Sequence, residues 1–341
     1  MLAFVANQLS QRCHNVSIIN LNITARGVSQ NIDAGIKIYN LDGTVKGIKK
    51  ACCLRRIVEI AQQEKADVLI GFTMFPNFYA CLVGKILRIP SIMSERGDPN
   101  RTLNSHVGKL LTAVINRCTG GVFQTGGAQE FYGKHLRKKG IVIANPIFVK
   151  GEVPDVAYAD REKTVVSVGR LDNFQKRYDV MLEAFKLFHN RHPDYTLKLY
   201  GDGADVEQIR KWVRDLGLSD AVRFMGLTKQ PMQDIAADGM FLITSDFEGI
   251  SNALLEAMAA GLPCVSTDHT PGGARLLIQD HENGLLAPIA DAQKLADAMC
   301  EFAEDPALAE KCGKNARAVL ERFAPERIID MWEEYCLGVI G

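Results

Sequence analysis

The most informative segment of this chain spans residues 247–263 and reads FEGISNALLEAMAAGLP. It follows the apolar run Met240–Thr244, which has the length and composition of a buried strand. Ser251 is a suitable N-cap for the helix that begins after it, Gly261 stands where a helix ends, and Pro263 follows shortly beyond. The stretch therefore predicts a strand, a tight turn at Gly249, and a helix whose first N–H groups can receive an anion.

Two glutamates stand eight positions apart in this stretch, Glu248 and Glu256. Glu256 lies about one turn inside a helix that is otherwise Ala, Leu and Met, so its carboxylate is expected to be partly buried and to need hydrogen-bond donors. The two hydroxyls of a ribose would supply them. A solvated helix face is the alternative for Glu256 alone, but the nearby Glu248 and the glycine between them favour a binding role.

A second motif, SVGRL at Ser167–Leu171, is followed by Lys176. A strand is predicted to end at Val168, and the chain then turns through Gly169, with Arg170 and Lys176 beside the start of a helix. Two cations there can hold a diphosphate. No two aspartates stand two positions apart, so the Asp-x-Asp motif that holds a metal in many sugar transferases is absent. We therefore predict no metal site, and these cations would stabilise a departing nucleoside diphosphate.

Shorter segments give weaker signals. Gly201–Asp202 follows a predicted strand, and Leu227 lies in a segment that could present backbone groups to a nucleobase. Glu95 and Arg96 end a strand in the first half of the chain, and we predict that they contact an acceptor substrate. His269 also follows a predicted strand and is interpreted as a loop residue rather than a catalyst.

Strand-like and helical patterns alternate along the chain, and the alternation restarts after residue 150. This spacing predicts βαβ units with parallel sheets. We predict an α/β protein with two Rossmann-like, doubly wound domains that face each other across a cleft, at residues 1–148 and 149–325. A helix within 326–341 is expected to pack back on the first domain. Strands are predicted at Val16–Leu21, Val68–Phe72, Ser91–Ser94, Gly121–Thr125, Ile141–Ala144, Thr164–Val168, Thr196–Tyr200, Val222–Met225, Met240–Thr244, Cys264–Thr267 and Leu285–Ala287, and the last long helix before residue 325 at Pro306–Arg322.

The composition predicts a cytoplasmic protein. The 341 residues include 47% hydrophobic and 23% charged residues, no apolar run of membrane-spanning length, and nine scattered cysteines without a C-x-x-C pair. The net charge is zero, but residues 1–150 hold 20 Lys and Arg against 8 Asp and Glu, and residues 151–341 hold 20 against 32. The basic first half suggests an anionic membrane surface or an anionic acceptor as partner, with peripheral attachment to the inner face of the cell membrane. We predict no nucleic-acid partner.

The first residues read as the middle of an amphipathic helix, with Leu2, Phe4, Val5 and Leu9 on its apolar side. A doubly wound domain opens with a strand and a glycine-rich turn ahead of such a helix. We therefore expect that an apolar strand and a glycine-rich turn precede this sequence in the natural protein.

Taken in order, the motifs G-R-L-x4-K-x2-D, G-D-G, R-F-x-G and E-G-x-S-N-A-L-L-E-A-M-A-x-G-x-P resemble the family 4 retaining glycosyltransferases of GT-B fold, and the likeness extends over nearly the whole chain. S-E-R-x-D-P looks like the branch that builds bacterial exopolysaccharide, capsule and lipopolysaccharide, similar to the amylovoran-type enzymes. Two positions depart from the pattern: Arg177 stands where the family usually has Gly, and Leu276 where many members have Glu.

The resemblance implies a donor site for a nucleotide-diphosphate sugar, expected to be UDP-linked, and no cofactor or bound metal. Arg170 and Lys176 would bind the diphosphate, Glu256 the ribose, and Glu248 the donor sugar. Further donor contacts would come from Gly169, Gly201, Asp202, Leu227, Gly249, Ile250, Ser251 and Asn252. The acceptor would be a polyprenyl-diphosphate-linked saccharide or another glycan.

Three alternatives stay open at this point. A GT-B nucleotide-sugar epimerase would share the fold and the donor site, and a noncatalytic binding protein would hold the donor without turnover. An NAD-dependent dehydrogenase is disfavoured because no G-x-G-x-x-G opens a helix.

Overall fold

Parallel strands connected through helices make up the protein in a computed structural model that describes residues 1–21, 31–41, 49–149 and 151–341. The chain divides into two compact units. Unit 1 comprises Met1–Pro146 together with Pro325–Gly341, and unit 2 comprises Ile147–Ala324.

Unit 1 contains two parallel sheets, one ordered β1-β2 and one ordered β3-β4-β5-β6. The strands are β1 Ser17–Asn20, β2 Lys37–Asn40, β3 Leu69–Phe72, β4 Ser91–Glu95, β5 Gly120–Phe123 and β6 Ile141–Val142. The helices are α1 Leu2–Gln11, α2 Lys49–Gln63, α3 Met74–Leu87, α4 Pro99–Thr102, α5 His106–Ile115, α6 Gly126–Glu130, α7 Lys134–Lys139 and, from the end of the chain, α17 Pro325–Ile340.

The C-terminal helix α17 packs within unit 1 through charge pairs and one large aromatic side chain. Arg12, just after α1, pairs with Asp330 at 2.6 Å and with Glu333 at 2.5 Å, and His14 contacts Glu333 at 2.6 Å. Trp332 is fully buried. Because α17 is acidic, unit 1 holds 20 Lys and Arg against 12 Asp and Glu, so its excess of positive charge is smaller than that of residues 1–150.

A cavity of about 400 Å³ separates the two sheets of unit 1. Residues 14–19 on the β1 side and 66–70 on the β3 side line it, and Val5, Leu9 and Leu337 contribute apolar side chains from α1 and α17. In the described part of unit 1, neither β1 nor β3 is hydrogen-bonded to a strand on the side that faces this cavity. The expectation of a strand ahead of α1 stays a prediction.

Unit 2 contains one parallel sheet in the order β9-β8-β7-β10-β11-β12. The strands are β7 Thr164–Val168, β8 Thr196–Tyr200, β9 Val222–Gly226, β10 Met240–Ile243, β11 Cys264–Thr267 and β12 Leu285–Ala287. The α-helices are α8 Asn173–Lys176, α9 Tyr178–Arg191, α10 Val206–Asp215, α11 Pro231–Asp234, α12 Asn252–Ala259, α13 Gly273–Leu277, α14 Ala292–Glu304, α15 Pro306–Ala316 and α16 Val319–Arg322. This is the strand order of the Rossmann fold, and the predicted α/β class is confirmed.

The core of unit 2 explains why this sheet forms. Its strands are short apolar runs; β10 is buried at every residue, as expected for a strand covered on both faces. Phe185 and Phe188 of α9 and Phe302 of α14 are fully buried in the same core. The order of the strands reverses between β7 and β10, and ligands bind at the carboxyl ends of the strands at such a switch point.

Candidate functional site

The loops that follow β7 and β10 bring Lys176 and Glu248 together at the switch point. Lys176 Nζ lies 2.5 Å from Glu248 Oε1, although the residues are 72 positions apart. Ser245 donates a second hydrogen bond to the same oxygen at 2.6 Å. Burial alone would raise the pKa of Glu248, but the charges of Lys176 and His269 and the two hydrogen bonds outweigh it and hold that pKa below its usual range. The contact is therefore buried, and it favours the ionised form of Glu248.

The glycine after β8 lets the ends of β7 and β8 approach closely. Gly201 has φ +139°, and a Cβ there would lie 1.8 Å from the carbonyl oxygen of Gly169. A Cβ on Gly169 itself would lie 3.6 Å from Lys176 Nζ. The backbone at Gly169 thus lies next to Lys176, and a side chain at Gly201 would displace that backbone.

Arg177, which stands where the resemblance expects glycine, has φ +53° and connects α8 to α9. Its guanidinium pairs with Asp179 at 2.9 Å and with Asp246 at 3.0 Å, and these carboxylates raise its pKa. Arginine in the left-handed region is strained, and the two ion pairs hold it there. At this position the two ion pairs of the arginine side chain therefore take the place of the conformational freedom that glycine would have.

Glu256 lies on α12 without a counter-charge. Its side chain is partly buried, and burial raises its pKa to about 7. It makes no side-chain hydrogen bond or ion pair with any residue in the described ranges. A carboxylate in this condition is poorly satisfied, so it is available to accept hydrogen bonds from a ligand.

The remaining predicted donor residues are placed around the same strand ends. Ser251 caps α12, where its side chain accepts from the N–H of Leu254, and Ile250 is buried. Asn252 is the first residue of α12. Asp202 accepts from the N–H of Gly203 at 2.8 Å, just beyond β8.

Two residues of the predicted donor-binding site have solvent-exposed side chains instead. Arg170 does not join Lys176: its side chain is 69% exposed and donates to Gln175 at 3.1 Å. Leu227, which follows β9, is 78% exposed. Both could contact a ligand only from the solvent side.

The turn predicted at Gly249 forms without a positive φ at that glycine. The glycine that this region requires is Gly273 at the start of α13, because a Cβ there would lie 1.7 Å from the carbonyl oxygen of Gly249.

His269 lies in the loop after β11, as predicted, and the structure buries it fully. Neither ring nitrogen has a hydrogen-bond partner in the described part of the chain. Burial lowers its pKa, and the nearby Glu248 opposes this. The sequence placed His269 after a predicted strand, but it did not indicate that the ring lies buried near Glu248.

In unit 1, Glu95 and Arg96 lie at the carboxyl end of β4. Glu95 is not free for a ligand: one oxygen accepts the N–H groups of Arg96 and Gly97 at 3.0 and 3.1 Å, and the other accepts the Tyr132 hydroxyl at 2.6 Å. Glu95 therefore shapes the loop in which Arg96 lies.

Among the described residues, one group of side chains has spacing that could suit a metal ion, namely His192, Cys300 and Glu304. His192 and Glu304 already contact each other at 3.2 Å. The group joins the C-terminal ends of α9 and α14 and includes none of the predicted donor residues, so the expectation of metal-independent donor binding stays a prediction.

Comparison with known proteins places these residues in a family. A family model described as "Glycosyl transferases group 1" matches residues 152–319. The chain is 32% identical over 319 residues to the lipopolysaccharide core biosynthesis glycosyltransferase LpsE of Rhizobium meliloti, covering 90% of this chain and 86% of that protein. It is 24% identical over 350 residues to the Campylobacter jejuni GalNAc-alpha-(1->4)-GalNAc-alpha-(1->3)-diNAcBac-PP-undecaprenol alpha-1,4-N-acetyl-D-galactosaminyltransferase, covering 97% of this chain and 92% of that protein. Its fold matches that of Anabaena Alr3699/HepE in complex with UDP, with a TM-score of 0.83, 19% identity and coverage of 99% and 95%.

Proposed function

Because this chain belongs to the group 1 glycosyltransferases, and is therefore an enzyme that transfers sugars, we propose its donor, acceptor and stereochemistry. The donor is a UDP-linked hexose or N-acetylhexosamine. The acceptor is a lipid-linked saccharide of cell-surface polysaccharide synthesis, and transfer proceeds with retention at the anomeric carbon.

The observation that carries the donor proposal is Glu256, a partly buried carboxylate that has no partner among the described residues. Burial raises its pKa, and no hydrogen bond from a described residue offsets the cost of burying the charge. The two hydroxyls of a ribose are donors of the right kind and number for one carboxylate. The buried Lys176–Glu248 pair at the same edge of the sheet supplies a cation for the diphosphate.

In the proposed reaction these residues act on the bonds of the donor sugar. The bond between the anomeric carbon and the diphosphate oxygen breaks, and the acceptor oxygen bonds to the same face of that carbon. The acceptor's proton goes to the departing phosphate oxygen. Lys176, with Arg170 from the solvent side, stabilises the charge that develops on this phosphate. Glu248 positions the sugar and does not attack it.

The acceptor proposal draws on the Campylobacter relative, whose name includes an undecaprenol-diphosphate-linked saccharide. Such a lipid is presented at a membrane surface, to which the basic unit 1 would be attracted. Val107 and Leu110, three positions apart on α5, are 62% and 69% exposed, and Lys109 lies between them. No helix in the described part of the chain has the length and apolar character to cross a membrane.

Turnover of UDP-sugars tests the proposed function directly. Purified protein is incubated with UDP-glucose, UDP-galactose, UDP-N-acetylglucosamine or UDP-N-acetylgalactosamine, a prenyl-diphosphate saccharide and EDTA, and free UDP and the anomeric configuration of the product are measured. We expect UDP release that requires the acceptor and an α-linked product. An epimerase would instead release UDP without acceptor, and an inverted product would contradict the mechanism.

Attachment to membranes gives a further prediction. We expect binding to anionic vesicles that weakens steeply with salt, because the attraction acts within a Debye length of about 8 Å at physiological ionic strength. Val107→Ser with Leu110→Ser should weaken this binding at least about tenfold, since two apolar side chains lose their burial in the interface. Ile86→Ser, on α3, removes an exposed apolar side chain elsewhere and serves as the control. Equal binding to neutral and anionic vesicles in flotation assays would contradict the proposal.

A further inference from the structure

Arg96 stands directly after β4, at the carboxyl edge of the four-stranded sheet of unit 1. Its Nε donates to Ser94 Oγ at 2.7 Å, and its Nη1 donates to the carbonyl oxygen of Ile143 at 3.2 Å. Its Nη2 is buried and has no hydrogen-bond partner in the ranges described. Two of the three guanidinium nitrogens are therefore held in place, and the third is unused.

The charge of Arg96 is also unmatched. The neighbouring Glu95 directs its oxygens to the Tyr132 hydroxyl and to the backbone N–H groups of Arg96 and Gly97. No carboxylate within the described residues forms an ion pair with Arg96. Burial lowers the pKa of Arg96 to about 9, and the charge of Glu95 only partly opposes this. A buried cation without an anion is unfavourable unless a ligand supplies one.

The surroundings of Arg96 contain further unused polar atoms. The Trp332 ring centroid lies 5.3 Å from the guanidinium carbon, and Phe72, the last residue of β3, stacks on Trp332 with 5.6 Å between the rings. Trp332 Nε1 is buried without a partner, and so is Oε1 of Gln124, the residue after β5. The ends of β4 and β5, together with α17, thus contribute two unused donor nitrogens and one unused acceptor oxygen.

We propose that Arg96 and Trp332 bind a phosphate or diphosphate group, and that this group belongs to the acceptor. The attribution to the acceptor rests on the proposed function. A guanidinium offers N–H groups in a planar fork that suits phosphate oxygens, and the carboxyl edge of a parallel sheet is where such folds bind ligands. Trp332 holds the guanidinium plane and adds a second donor. Arg96 is then the residue that selects an anionic acceptor over a neutral glycan.

Calorimetry on the full chain tests this site with two probes, inorganic pyrophosphate and farnesyl diphosphate. Saturating UDP is present throughout, so that the donor site of unit 2 is occupied. We expect both probes to bind, and Arg96→Met to weaken both about 10- to 100-fold, which is the scale of one or two charge-assisted hydrogen bonds. Arg96→Lys should recover part of this affinity, because it keeps the charge and loses the fork. Arg55→Met removes a solvent-exposed arginine of α2 and should change nothing.

The outcomes separate the proposal from its premise. UDP affinity is measured on each variant and shows whether the fold and the donor site are intact. If Arg96→Met no longer binds UDP, the binding of the two probes to Arg96→Lys tests the proposal instead. Binding of farnesyl diphosphate without pyrophosphate supports a lipid-borne source of the phosphate, and equal binding supports the phosphate alone as the recognised group. Wild-type protein that binds neither probe, or an Arg96→Met variant that binds both as wild type does, overturns the site even if UDP-sugar turnover is intact.

Discussion

Replacing Lys176 by methionine is expected to lower kcat about 10²- to 10³-fold, the scale of losing one charge-stabilising group from an active site. Lys176 is only 13% exposed and contacts Glu248, so the change also leaves a buried carboxylate without its cation. Burial then dominates, and the pKa of Glu248 rises instead of being held low. The loss in stability should be about 3 kcal/mol, toward the lower end for a broken buried pair because some exposure remains.

The pH dependence of unfolding gives the sign of this effect. In the wild type, the lowered pKa of Glu248 contributes stability above the unfolded pKa of 4.5, and this is lost as pH falls through the folded value. In Lys176→Met the sign reverses, and the variant loses stability relative to the wild type as pH rises from the unfolded value of 4.5 through the raised folded pKa. Denaturant unfolding across this range measures the difference.

A double variant separates the structural role of the pair from its chemical role. Lys176→Met with Glu248→Gln removes both charges and should regain most of the lost stability, while kcat stays low. Lys163→Met removes a surface lysine that pairs with Asp194 at 2.5 Å, and it should alter neither quantity. Near-normal kcat in Lys176→Met, or activity that returns in the double variant, would refute a role for Lys176 in stabilising the leaving group.

Replacing Glu256 by glutamine is expected to weaken UDP binding by about 1.5–3 kcal/mol, because the ribose hydroxyls lose a charged acceptor. The wild-type affinity for UDP should rise with pH toward 7 and above, since the donated hydrogen bonds favour the ionised form of a group whose pKa is about 7. UDP binding near pH 6.5 should therefore release a proton. Calorimetry in two buffers of different ionisation enthalpy measures this release, which Glu256→Gln should abolish.

The stability of the protein without UDP should show a matching pH dependence. A carboxylate whose folded pKa is about 7 contributes stability below its unfolded pKa of 4.5, and this is lost as pH rises to 7. The contribution is at most about 3 kcal/mol, and less because the side chain is partly exposed. Glu256→Gln should flatten this pH dependence, whereas Glu207→Gln, at an 89% exposed position on α10, should not. Unchanged UDP affinity in Glu256→Gln would show that the ribose binds elsewhere.

Local sequence determined the segment that carries both glutamates. The predicted strand Met240–Thr244 is β10 Met240–Ile243, and the helix after Ser251 is α12 with that serine as its cap. Apolar runs and caps act over a few residues, so the sequence alone contains this information. The predicted strands of unit 2 were confirmed for the same reason.

Elements that depend on distant partners were not predictable. β2 Lys37–Asn40 is half exposed and forms only by pairing in register with β1, so its own sequence gives little signal. The predicted helix Pro306–Arg322 is divided into α15 and α16 at Arg317 and Ala318, although both residues keep right-handed helical φ and ψ. The sequence offers no proline or glycine there to indicate the break.

The sequence determined which residue types form the candidate site. They are two glutamates, one before and one after a capped helix start, and a lysine that follows β7. Their partners were decided only by the tertiary structure. It joins Lys176 to Glu248 across 72 positions and, among the residues that the structure describes, gives Glu256 no counter-charge. It also buries His269, and within the same residues it supplies no anion that pairs with Arg96. Burial and pairing depend on which strand ends become neighbours, and the order of strands in a sheet is set by packing of the whole unit rather than by any local run of residues.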